Sequence, residues 1–113
     1  MKLITAVFQP ATLQEAKDAL TTFGVRGLTV SEVFAHTEGP TLIEVYRGRR
    51  LAAELRPSIR VDLLAADDEV PDLVHIIRQV ASTATVSGDG WIWVTPVDLL
   101  LRVRTGERGV DAV

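Results

Sequence analysis

Ile59-Arg60-Val61-Asp62-Leu63 and, shortly after it, Asp67-Asp68-Glu69-Val70-Pro71 form the stretch on which the fold turns. Ile59, Val61 and Leu63 alternate with Arg60 and Asp62, the period-two pattern of a strand. Asp67-Asp68 supplies an N-cap, and Pro71 suits the first turn of a helix. Val70, Leu73, Val74, Ile77, Val80 and Ala81 then fall on one apolar stripe, with Asp72, His75 and Gln79 on the opposite face. A strand leading into an amphipathic helix is therefore predicted here.

The same order opens the chain. Leu3 to Phe8 reads as a strand with apolar residues on both faces, closed by Pro10. Thr12 and Glu15 make a capping-box pattern, Leu13, Ala16, Ala19, Leu20 and Phe23 follow at helical spacing, and Gly24 suits the C′ position. Val25 to His36 reads as a second strand, with Gly27 inside it, where glycine marks a bulge or a close approach by another group. Residues 37–57 break the pattern. A connection of about 20 residues inside one domain is more often functional than idle. Within it Thr41 to Val45 and Leu51 to Ala53 are short apolar patches that either pair as a hairpin or pack on a partner. Ser82 to Gly90 is a loop of small polar residues. Trp91 to Val94 is a strand that Pro96 confines to an edge or an end. Leu99 to Arg104 reads as a further extended run, and residues 105–113 as a loose polar tail.

The predicted order is β-α-β-(long loop)-β-α-β over a single domain, residues 1–113. That is the α+β, ferredoxin-like arrangement: one antiparallel sheet with two helices on one face. The other face still carries apolar residues, and closed association of copies is the simplest way to cover them. The composition agrees: 47% of the residues are hydrophobic and the mean hydropathy is +0.21. A net charge of −3 gives no reason to expect a nucleic-acid partner. No cysteine is present, which excludes disulfides and thiolate zinc sites. The first ten residues lack a signal-peptide pattern and no run approaches the ~20 apolar residues of a membrane helix, so a cytoplasmic protein that is not inserted in a membrane is expected.

Catalytic chemistry has little to stand on. His75 lies on a polar helix face, and His36 with Glu38 offers two metal ligands where more are needed. No nucleophile elbow, Walker A or dinucleotide fingerprint occurs, so no catalytic residue and no metal are expected. Gly88-Asp89-Gly90 is either a plain turn or a place where backbone N–H groups approach a phosphate. Arg102 and Arg104 alternate with Leu101 and Val103 and would share a face. They pair either with acids such as Asp62 or Glu107, or with a bound phosphate. The cluster Arg47, Arg49, Arg50 is either solvated or meets an acidic partner.

Several segments together resemble the PII signal-transduction family over essentially the whole length. They are Met1-Lys2-Leu3-Ile4, the run Gly24 to Val33, Glu44-Val45-Tyr46-Arg47-Gly48, the Gly88-Asp89-Gly90 turn, and Arg102-Val103-Arg104-Thr105-Gly106-Glu107. The resemblance implies a regulatory homotrimer with adenine-nucleotide sites in the clefts between subunits. One subunit would supply Val7, Leu64 and Gly88-Asp89-Gly90. Its neighbour would supply Gly27, Leu28, Thr29, Asp62, Arg102 and Arg104. The 37–57 loop, with Tyr46, Arg47, Gly48, Arg49 and Arg50, would dock on a membrane transporter or a metabolic enzyme, most simply in nitrogen metabolism.

The departures from that family shape the ligand expected. Its Arg-Gln-Lys-Gly run at the loop base is Glu38-Gly39-Pro40-Thr41 here; a later lysine is Ser58; the phosphate-binding lysine after the glycine turn is Trp91; the modified loop tyrosine is Leu51. Losing cations and gaining Glu38 where a γ-phosphate would sit weakens charge-assisted bonding to a triphosphate most. ADP or AMP is therefore expected to be favoured over Mg-ATP, and 2-oxoglutarate is not expected to bind. Two rivals share the fold: a PII-like regulator of carbon or bicarbonate uptake, and a CutA-like structural or metal-responsive trimer without nucleotide. A small ferredoxin-like enzyme is disfavoured by the missing acid–base pair.

Overall fold

The computed structural model describes residues 1–36, 43–46, 49–52, 55–83 and 90–113. These residues hold six strands and two α-helices: β1 (Lys2–Phe8), α1 (Leu13–Phe23), β2 (Thr29–Ala35), β3 (Ile43–Tyr46), β4 (Arg49–Ala52), β5 (Arg56–Ala65), α2 (Val70–Thr83) and β6 (Trp91–Pro96). The main sheet has the order β2-β5-β1-β6 and every pairing is antiparallel. With β1, β2, β5 and β6 as the four sheet strands, this is the ferredoxin-like α+β topology expected.

Alternation along the strands divides the sheet into two faces. Ile4, Ala6 and Phe8 of β1 and Ile59, Val61 and Leu63 of β5 pack with Ala16 and Leu20 of α1 and Leu73 and Ile77 of α2. Ile4, Leu20, Leu73 and Ile77 are essentially fully buried, and each such side chain contributes about 1.5–3 kcal/mol of transfer free energy. The opposite face carries Thr5 and Val7, also buried. Thr5 lies in register between Asp62 and Trp93, and Val7 between Arg60 and Trp91. Two small β1 residues are thus flanked by a charged side chain from β5 and an indole from β6. Strand β6 lies at the sheet edge and Pro96 is its last residue, so both of the positions open to that proline are met.

Of the expected long loop, residues 43–46 and 49–52 pair as an antiparallel hairpin in a two-stranded sheet of its own, Tyr46 opposite Arg49 and Val45 opposite Arg50. The apolar patches do pair with one another. Residues 37–42, 47–48 and 53–54, which include Glu38-Gly39-Pro40-Thr41, Arg47 and Gly48, lie outside the described residues.

Four local expectations are corrected. The second strand begins at Thr29, not Val25, and Gly27 therefore precedes it. The Val25 N–H is spent on the Leu20 carbonyl at 3.0 Å, closing α1 behind Gly24 (φ 119°). The capping box at Thr12 is not made. Pro10–Thr12 forms a 3-10 turn that leaves Thr12 in right-handed helical conformation, and its hydroxyl gives α1 no cap hydrogen bond. At α2 the residue before the leading 3-10 turn (Asp67–Glu69) is Ala66, so Asp67 is not the cap. Asp67 instead accepts from the Met1 ammonium and pairs with Lys2 Nζ at 3.4 Å. These contacts, the ammonium hydrogen bond foremost, hold its carboxyl below the usual value.

The fourth correction concerns the C-terminal segment. Leu99 to Arg104 is not an extended run. Leu101 bridges to Arg108, the Arg102 N–H donates to the Glu107 carbonyl at 2.9 Å, and the Gly106 N–H donates to the Arg102 carbonyl at 2.9 Å. The chain thus doubles back through Gly106 (φ 74°), a conformation that costs most residues energy but not glycine. Gly109–Ala112 then forms a 3-10 turn with Ala112 buried, so the tail is folded rather than loose.

Candidate functional site

Of the residues expected to build the site, the glycine turn and the two arginines belong to opposite ends of the sheet. At one end, Gly90 lies against the last residues of β1. A Cβ added there would stand 2.6 Å from the Val7 carbonyl oxygen and 3.6 Å from Phe8 Cβ. Glycine at this position is dictated by the close approach of two backbones. Gly88 and Asp89, the rest of the predicted turn, lie outside the described residues. Trp91, next along, is 45% exposed.

Strand β6 carries the chain away from this end. Trp91 pairs with Val7 and Pro96 with Lys2, a span of about 17 Å at the rise of an antiparallel strand. The Val97 N–H donates to the Met1 carbonyl at 3.2 Å, so the segment bearing Arg102 and Arg104 departs from the far end of the sheet. Both arginines are exposed, on the turn described above, and they do not alternate along one strand face.

Thr29 and Asp62 are direct neighbours across β2 and β5. Thr29, the first residue of β2, is exposed, and Leu28 before it is half-buried. A Cβ at Gly27 would meet nothing among the described residues within 4 Å. Leu64 sits opposite Leu3 on the same face as Asp62. It is four residues along from the line of Val7, about 13 Å. The grouping of Leu64 with Val7 and the glycine turn is therefore not a contact within one chain.

Asp62 is the most strongly engaged of these residues. The Thr5 hydroxyl donates to its Oδ1 at 2.6 Å; Arg60 Nε donates to Oδ2 at 3.0 Å and Arg60 Nη2 to Oδ1 at 3.4 Å. The Arg60 guanidinium in turn lies over the Trp93 ring, 5.6 Å from its centroid. Burial raises the Asp62 pKa, but the Thr5 hydroxyl and then Arg60 lower it by more, so it ends below the usual carboxylate value. The stability this confers is complete above the unfolded-state pKa of about 3.9 and is lost as pH falls through the depressed folded value. The partner of Asp62 is Arg60, not Arg102 or Arg104. Thr5, Arg60 and Trp93 were not singled out from the sequence. The available signal was the spacing of Arg60 and Asp62, two apart in a strand and so on one face.

Of the hairpin residues, Tyr46 belongs to β3 and Arg49 and Arg50 to β4. His36 is exposed. Among the described residues no group of three or more metal-ligating side chains comes together, and Glu38 is outside them.

Comparison with known proteins decides the relationship. The family model described as "Nitrogen regulatory protein P-II" matches residues 1–107. This chain belongs to the P-II family. P-II proteins of Azospirillum brasilense and Cereibacter sphaeroides are 39% and 41% identical to it, each over 115 aligned positions covering both chains in full. Nitrogen regulatory protein GlnK of Escherichia coli K12 is 35% identical over 95% of each chain. The P-II match takes in the hairpin, the Gly90 wall, the Thr29–Asp62 pair and both arginines. No described helix is long and apolar enough to cross a membrane.

Proposed function

We propose that this P-II protein is a cytoplasmic regulatory homotrimer that senses adenine nucleotides in clefts between copies and controls a transporter or metabolic enzyme through residues 37–57. The observation that carries the reading is the separation of the two walls. Gly90 and Val7 stand at one end of the sheet, while the segment bearing Arg102 and Arg104 leaves from the other, across a strand about 17 Å long. A site that uses both walls takes them from different copies. Val7, Leu64 and Gly88-Asp89-Gly90 then belong to one copy, and Gly27, Leu28, Thr29, Asp62, Arg102 and Arg104 to the next. The ~13 Å between Leu64 and Val7 makes Leu64 the weakest member of its group.

ADP or AMP is favoured over Mg-ATP, and 2-oxoglutarate does not bind. An indole with no charge to offer a phosphate follows Gly90, and the sequence has Glu38-Gly39 where the family resemblance puts an Arg-Gln pair. The names of the relatives favour control of nitrogen metabolism over carbon uptake. Tyr46, Arg47, Gly48, Arg49 and Arg50 are the residues of this segment offered to the regulated partner.

Calorimetric titration with ATP, ADP and AMP, each with and without Mg²⁺ and 2-oxoglutarate, tests the reading. ADP or AMP should bind more tightly than Mg-ATP, with no response to 2-oxoglutarate. Tight Mg-ATP binding enhanced by 2-oxoglutarate would overturn the ligand preference. Arg102→Ala with Arg104→Ala should abolish nucleotide binding. If it changed nothing, a nucleotide-free trimer of the CutA-like kind would be the better description.

A further inference from the structure

One polar chain runs across the sheet on the face away from the helices. Thr29, Asp62, Thr5 and Trp93 occupy a single register line through β2, β5, β1 and β6. Arg60 joins it from the adjacent line, bonded to Asp62 and stacked on Trp93. We propose that Thr5, Arg60 and Trp93 are positioning residues, which orient the Asp62 carboxylate so that it can accept a hydrogen bond from a nucleotide amino or hydroxyl group at the β2 side of the sheet. This rests on the reading above, in which Asp62 lines the nucleotide site.

The geometry supports it bond by bond. A carboxylate offers roughly four lone-pair positions. Thr5 and the two Arg60 nitrogens occupy three, at 2.6, 3.0 and 3.4 Å. Thr5 comes from the β1 flank and Arg60 from two residues back along β5, which leaves the flank beside exposed Thr29. Thr5 is completely buried, and its branched Cβ restricts χ1, so its hydroxyl is a fixed donor. The Arg60 side chain is 41% exposed and would sample many rotamers if it were free. Trp93, the strongest kind of ring for a cation, holds the guanidinium at a defined place on the sheet face.

The network could instead serve only to satisfy a buried hydroxyl, and the test separates the two roles. ADP affinity of the full chain is measured by calorimetry for wild type, Thr5→Val, Thr5→Ser, Arg60→Gln and Trp93→Phe. Unfolding is followed by circular dichroism, and the Asp62 carboxyl is titrated by ¹³C NMR. Thr5→Val and Arg60→Gln should each weaken ADP binding about tenfold, the scale of one charge-assisted hydrogen bond, and move the Asp62 midpoint upward. Trp93→Phe should cost about threefold, since the ring is retained but its attraction for the cation is weaker. Thr5→Ser should bind within about twofold of wild type, rescuing the hydroxyl whatever it does to packing. If Thr5→Val and Arg60→Gln stay folded, shift the Asp62 midpoint and still bind ADP like wild type, the network is structural and the proposal falls. If wild type itself binds no adenine nucleotide, the nucleotide reading fails and takes this inference with it.

Discussion

Gly90 shows how one residue can carry two explanations. On a loop rich in small residues, a glycine beside a carboxylate invites a phosphate. In the folded chain its first duty is steric, because any Cβ would stand 2.6 Å from the Val7 carbonyl oxygen. That atom is backbone in a paired strand and cannot swing aside. Gly90→Ala should therefore destabilise the protein by about 1–3 kcal/mol, the usual cost of overpacking, as read from chemical denaturation. A change of less than about 0.5 kcal/mol would mean that the β6 entry moves freely relative to β1. Asp62 carries the opposite lesson. From spacing alone it is one polar member of an alternating strand. Packing gives it a buried donor on the next strand and a cation held by a ring on a third. None of these three partners is within one residue of it in sequence.

At the scale of elements, the helices were readable because their apolar stripes are long and regular. Ala16 and Leu20 in α1 and Leu73 and Ile77 in α2 are buried as their spacing requires, while Asp72, His75 and Gln79 remain exposed. Helix beginnings were less legible. Both helices are preceded by a 3-10 turn, which shifts the residues read as caps out of capping conformation. The consequence is sharpest at Thr12, whose Oγ1 is buried and meets no hydrogen-bond partner among the described residues. Thr12→Val removes that unsatisfied group at nearly constant shape. It should raise stability by about 1 kcal/mol, seen as a higher midpoint in thermal unfolding. A lower midpoint would show that the hydroxyl contributes to folding after all. The arginine segment failed as a strand for a related reason: alternation over Leu101 to Arg104 is too short to outweigh a glycine in left-handed conformation at position 106.

For the whole molecule, the face of the sheet away from the helices poses the main physical problem. Trp91 and Trp93 are 45% and 41% exposed there, and Leu99, Leu101 and Val103 stand exposed on the segment after β6. Apolar surface of this kind on a small chain marks an interaction site. The proposed trimer covers it and supplies the second wall of each nucleotide cleft. Sedimentation equilibrium should give a mass about three times that of the 12.3 kDa chain. A monomer would remove the trimer and the shared cleft together. The same experiment on Trp93→Asp should shift mass toward monomer, because a second carboxylate would then face Arg60 where an indole now covers it.

The sequence by itself determined the order of elements, the two helix faces, the α+β class, the restriction of β6 by Pro96 to an edge or an end, and the P-II resemblance. All of these rest on local periodicity, turn chemistry or motifs read in order. Tertiary structure decided where β2 begins, why position 90 must be glycine, that the arginine segment doubles back, and which groups hold Asp62. Those outcomes depend on strand register and on contacts between residues more than 80 positions apart in the chain, such as Gly90 and Val7. Local patterning carries no information about such distances, because register is settled only when the strands of the sheet pair with one another.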